Sequence, residues 1–148
     1  MRVRDEIRKT VAFIGYEDKQ NGNFVPVGSI FFLGHDSKDG ADKSPRVYVV
    51  TARHVIDGLR GKGVTHAVVR LNAKTNEPPS LSVYLSIGEW IFHPTDKSVD
   101  VAIFEMGIPA DADHLVLPMS LCATKEKQAE HEVGLGEEVF ISGCFDIT

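Results

Sequence analysis

The sequence predicts an all-β fold, a barrel or sandwich of short antiparallel strands with little helix. Three observations carry this expectation. Seven or eight short runs are rich in β-branched, aromatic and aliphatic residues, the types that suit a pleated, half-buried surface. Gly, Asn, Asp and Pro clusters interrupt these runs every 8–12 residues, a spacing typical of sandwiches and barrels. Amphipathic helical periodicity is almost absent.

The first strand is expected over residues 10–16, where Val11, Phe13, Ile14 and Tyr16 supply β-branched and aromatic side chains. Residues 17–23 are polar and end in Asn21-Gly22-Asn23, a turn signal. A second strand follows over 27–33. The stretch 34–45, rich in Asp, Ser, Lys and Gly, is a loop. Residues 46–51 form a third strand whose apolar run implies burial on both faces at its end. One or two helical turns over 54–59 stop at Gly61-Lys62-Gly63.

A fourth strand is expected over 66–71, a loop around Asn76-Glu77-Pro78-Pro79, and an alternating fifth strand over 81–85. Residues 89–94 are short and extended, and 99–106 form a further strand with Asp100 near its start. Residues 124–132 are charged enough for a solvated loop or a short surface helix. A last strand is expected over 138–143. Trp90, Phe92 and Tyr84 are assigned to the core.

A chain of 148 residues suits one domain or a fragment of a larger protein. A globular domain of this size buries roughly 68–70% of its unfolded surface, so it needs neither disulfide nor metal to hold together. The net charge of −5 and the absence of a basic block argue against nucleic acid and anionic membranes as partners. No apolar run reaches the ~18 residues of a membrane span, and no apolar segment follows the basic residues at the N-terminus as in a signal peptide. Two cysteines, Cys122 and Cys144, are too few for a disulfide framework or a zinc site, which points to a reducing, cytoplasmic setting.

Two residues stand out chemically. His54 follows an apolar strand that ends in Thr51-Ala52, so it sits where a base is held still. Asp100 precedes Val101-Ala102-Ile103-Phe104, and a carboxylate buried at the start of such a strand requires a partner. A histidine titrates near neutrality, and a carboxylate behind it fixes its tautomer and stabilises its charged form. The 100 − 54 = 46 residues between them exclude a local contact but allow the chain to return around a barrel.

These residues carry a family resemblance. Val50-Thr51-Ala52-Arg53-His54-Val55 resembles the histidine motif of trypsin-like (chymotrypsin-fold) serine peptidases. His93-Pro94 followed by Asp100-Val101-Ala102-Ile103 resembles the family's aspartate motif. Val27-Gly28-Ser29-Ile30-Phe31-Phe32 resembles the strand before the histidine strand, with Ile30 where glycine is frequent. Gly136-Glu137-Glu138-Val139-Phe140-Ile141-Ser142-Gly143 resembles the approach to the second barrel.

The resemblance implies an antiparallel six-stranded-type β-barrel, the N-terminal barrel of that fold, with a core over about residues 8–107. Residues 108–148 would lead toward a second barrel that this chain lacks. It also implies His54 as general base and acid and Asp100 as its orienting carboxylate. No Gly-Asp-Ser-Gly or Gly-x-Ser-Gly occurs, and only 148 − 100 = 48 residues follow Asp100. The nucleophile, oxyanion hole and specificity pocket therefore belong outside this chain, which alone is expected to be inactive.

Within the chain, Ser142-Gly143-Cys144 is the best nucleophile candidate, but it lacks a following glycine and comes too soon after Asp100. His93, Asp96 and Asp100 have metal-like spacing, but Pro94 prevents a helix from aligning them, so no metal or cofactor is expected. Asp57 lies within one helical turn of His54 and reads as a surface neighbour. The expected partners are a polypeptide substrate or protein partner and the second barrel, with self-association through the face that barrel would cover. Two alternatives are a catalytically inactive β-barrel module that binds protein, and an unrelated all-β binding domain in which His54 and Asp100 never meet.

Overall fold

The period-2 alternation of the sequence becomes the inside and outside of one curled sheet. A computed structural model describes residues 4–35, 46–139 and 141–144. After a 3-10 turn, Asp5–Thr10, come strands β1 (Val11–Glu17), β2 (Phe24–His35) and β3 (Arg46–Thr51), then helix α1 (Arg53–Gly61). Strands β4 (His66–Asn72) and β5 (Ser80–Ser86), a 3-10 turn (Ile87–Glu89), β6 (Ile91–Phe92) and β7 (Ala102–Glu105) follow. The last elements among the described residues are β8 (Leu117–Pro118), a 3-10 turn (Met119–Leu121) and helix α2 (Lys125–Glu130). Ala12 and Ile14, Ile30 and Phe32, Val49, Val69 and Leu71, Leu85 and Ala102 all bury their side chains in a single cluster.

The strand order is β5-β4-β1-β2-β3-β7-β6. The two ends of this path, β5 and β6, are consecutive in the chain, separated only by residues 87–90. The chain itself therefore crosses the seam, and the sheet must curl into a barrel. With β5 and β6 counted as limbs of one bent strand, the barrel has six strands: β1, β2, β3, β4, β7 and the bent one. The strand pairs along this path are antiparallel, as the sequence predicts. β5 and β6 stay the two ends of the hydrogen-bonded path, joined through the corner at residues 87–90 and not by a ladder between them.

Curvature has identifiable sources. The β1–β2 register shifts between Ile14 and Gly15, a bulge that bends the strand. A side chain at Gly15 would bring a Cβ within 2.0 Å of the Val25 carbonyl oxygen, so only glycine allows this approach. At the β5–β6 corner, the Trp90 side chain is buried and its ring lies 5.4 Å from that of Phe104 on β7. Helix α1 adds Ile56 and Leu59 to the same core.

After β7 the chain lies back on the barrel. Lys74 N–H donates to Asp111 O, Asp113 N–H to Asn72 O and Leu115 N–H to Lys9 O, and Ala112 joins the core. Strand β8 then pairs in parallel with β2. Helix α2 realises the surface helix expected over 124–132, with the Thr124 hydroxyl accepting from Lys127 N–H as its N-cap. Among the described residues no helix is long and apolar enough to cross a membrane.

Four expectations are corrected. Tyr84 is not core: it is 53% exposed because the alternation of β5 turns Leu85 inward, and its hydroxyl donates to Glu17. Phe92 is half-buried: it packs against the core from outside it, under Arg53 and Arg60. The strand expected from residue 99 begins at Ala102, leaving Asp100 in the preceding loop. The described residues of 138–143 form no strand: Val139 and Ile141 are 79% and 89% exposed, because no sheet edge among the described residues accepts them. Most of the loop expected at 34–45 lies outside the described residues; its first two residues, Gly34 and His35, continue β2.

The corner tryptophan yields a stability test. Trp90→Ala is expected to cost about 3–5 kcal/mol, the range for emptying a large aromatic site. Trp90→Phe is expected to cost clearly less, because the indole Nε1 it removes has no hydrogen-bond partner among the described residues. Trp90 is the only tryptophan, so urea melts followed by circular dichroism, not by fluorescence, make the comparison.

Candidate active site

The register between β3 and β7 decides where His54 and Asp100 emerge. These strands pair antiparallel, with Thr51 opposite Ala102. Residues just after 51 and just before 102 therefore leave the sheet at the same end and on neighbouring strands. His54 is three residues beyond Thr51 and Asp100 two before Ala102, so the gap of 46 residues closes into a direct contact.

The histidine is held from its own side first. Thr51 is buried, and its hydroxyl donates to the Ser29 carbonyl of β2 at 2.9 Å, tying the end of β3 to its neighbour. Ala52 keeps an extended backbone as the N-cap of α1, which places His54 in the first helical turn. Gly28 lets the helix approach closely, since a Cβ there would lie 3.2 Å from a Val55 methyl. The Arg53 guanidinium lies 4.9 Å above the Phe92 ring and its Nε donates to Asp57 at 3.3 Å, bracing the start of α1 against β6.

Asp100 clasps His54 with both carboxylate oxygens. Oδ1 accepts the His54 main-chain N–H at 2.8 Å, and Oδ2 lies 2.6 Å from the ring Nδ1. The main-chain bond fixes the carboxylate relative to the helix start, and the ring bond then fixes the imidazole. An ionised carboxylate only accepts, so Nδ1 carries the hydrogen and Nε2 presents its lone pair outward. The His54 side chain is 74% exposed and that of Asp100 52%. The expectation of a buried Asp100 is thus corrected: both groups lie at the surface, and Asp100 is partnered rather than desolvated.

Hydrogen bonds from the His54 main chain, and then from its ring, hold the Asp100 carboxyl below the usual carboxylate range, against a smaller opposing effect of burial.

The other candidates do not join this pair. Ser142 is exposed, and Cys144 is fastened through its main chain: the Ser29 hydroxyl donates to Cys144 O and accepts from Cys144 N–H, both at 2.9 Å. Burial pushes the Cys144 thiol up, opposite to what an attacking thiolate requires. Asp57 pairs with Arg53 and Arg60 on the surface of α1.

His93, Asp96 and Asp100 do not converge. His93 Nδ1 accepts main-chain N–H groups, Asp96 accepts from Ser98, and Asp100 faces His54. Sequence reading passed over the role of these loop bonds, although Asp96-x-Ser98 is a recognisable turn signal.

The clasp has a defined pH window. A depressed carboxyl favours the ionised, bonded form, so its contribution is present above the ordinary aspartate range and is lost as pH falls through its lowered folded value. NMR titration is expected to show the Asp100 carboxyl protonating below a typical aspartate, with the His54 amide shift following the same curve. Asp100 titrating at or above the ordinary value would contradict the clasp. Comparison with known proteins adds no relative: no family model, no curated protein and no solved structure matches the chain.

Proposed function

We propose that this chain carries the general-base part of a trypsin-like serine endopeptidase, with His54 as base and acid and Asp100 as its orienting carboxylate. The observation that carries the reading is the two-point clasp at 2.8 and 2.6 Å, which leaves an oriented Nε2 facing outward. In such a reaction Nε2 takes the proton of a hydroxyl as its oxygen attacks the scissile carbonyl, then returns it to the leaving amine. Asp100 stays ionised and stabilises the imidazolium between these transfers. The hydroxyl and the oxyanion donors come from outside the described residues. Without the nucleophile, turnover falls by about 10⁶, and each missing oxyanion donor removes about a further 10²–10³.

A second reading has its own support. Leu121, Val133, Leu135, Val139 and Ile141 are exposed along the C-terminal stretch, more apolar surface than a free loop normally presents. A barrel that binds another polypeptide through this stretch, without catalysis, accounts for it equally well.

Fluorophosphonate labelling of the protein translated from the complete reading frame separates the two. The peptidase reading expects covalent labelling, abolished in His54→Ala and slowed about 10⁴-fold in Asp100→Asn, where the neutral amide favours the wrong tautomer. A folded full-length protein that takes no label sinks the peptidase reading and leaves the binding module.

A further inference from the structure

The loop before Asp100 is fastened by side chains that the pair itself does not use. Pro94 follows His93 and fixes its own backbone at a turn-compatible angle. The His93 ring then accepts two main-chain N–H groups at Nδ1, from Asp96 at 2.8 Å and from Thr95 at 3.3 Å. Two donors directed at one ring nitrogen require its lone pair, so the ring hydrogen is on Nε2. Asp96 continues the chain of contacts: its Oδ1 accepts Ser98 N–H at 2.9 Å and the Ser98 hydroxyl at 2.6 Å. Val99 N–H then reaches back to Asp96 O at 3.4 Å, and the next residue is Asp100.

Every residue from Thr95 to Ser98 is exposed, so packing does not hold this segment. Side chain-to-main chain hydrogen bonds do, and the first of them originate at His93. We propose that His93 is a positioning residue: its Nδ1 acceptor sets the turn that aims the Asp100 carboxylate at His54. The inference rests on reading His54 and Asp100 as base and orienting carboxylate, but it concerns a geometry measurable without turnover.

Accepting the N–H groups two and three residues ahead is the work that asparagine does in Asx turns and N-caps. Asparagine at position 93 should therefore substitute for the histidine, whereas alanine should not. In this chain, His93→Ala is expected to speed amide hydrogen exchange at Thr95 and Asp96 by about tenfold, the scale of one lost hydrogen bond. The same variant should broaden or remove the low-field NMR signal of the His54 Nδ1 proton shared with Asp100. His93→Asn should restore both.

Unchanged exchange and an unchanged His54 signal in His93→Ala would overturn the proposal, whatever the labelling result. So would a failure of His93→Asn to restore them when it folds like wild type. If the His54 signal responds as expected while the full-length wild type takes no fluorophosphonate, the positioning role stands and the peptidase reading falls.

Discussion

The structure depends most on one pairing constraint, the antiparallel register that sets Thr51 opposite Ala102. A one-residue slip would turn every side chain of β3 or β7 to the opposite face. It would also move Asp100 along the sheet edge, away from His54. Val49 and Ala102 are fully buried and Val50 and Thr51 nearly so, and the Thr51 hydroxyl bond to the Ser29 carbonyl holds the end of β3 in this register. Apolar burial inside the barrel thus fixes the position of two polar groups outside it.

That division of labour explains why an exposed hydrogen-bonded pair can be well defined. Water screens such a pair and takes away most of what it would add to stability. Orientation therefore cannot come from the pair alone. It comes from the buried Thr51 hydroxyl on Ser29, the close approach of Val55 to Gly28, and Arg53 stacked on Phe92. The main-chain N–H of His54 matters as much as the ring, because it ties the carboxylate to the first turn of α1 before the side chain is involved.

What the sequence made legible follows the same line. Strands whose alternation meets a partner sheet were readable, β3 to the residue and β1, β4 and β5 within one or two. Alternation alone does not say which face is inside, so it does not distinguish exposed Tyr84 from its buried neighbour Leu85. Nor does it guarantee a partner: residues 138–143 have strand composition but meet no sheet edge among the described residues. Motif and spacing mark His54 and Asp100, but Asp100 is not buried, because β7 starts at Ala102, three residues after the expected strand start at 99. The His93 loop bonds are not legible in the sequence, because a single histidine before proline carries no periodicity, whereas Asp96-x-Ser98 does signal a turn.

The C-terminal stretch behaves differently from the barrel, and the contrast is physical. Up to Pro118 the chain is held by main-chain bonds to the barrel, and Ala112 is part of the core. Beyond it, Leu121, Val133, Leu135, Val139 and Ile141 keep apolar side chains in water. Yet the path is not random, since Ser29 on β2 grips both polar groups of the Cys144 main chain. A stretch anchored at both ends by specific hydrogen bonds, with unsatisfied apolar surface between them, gains free energy from any polypeptide that covers that surface. The peptidase reading assigns the covering element to the rest of the same protein, and the binding reading assigns it to a partner. Both require the same surface, so the chemistry at His54 Nε2, not the existence of an interface, is what separates them.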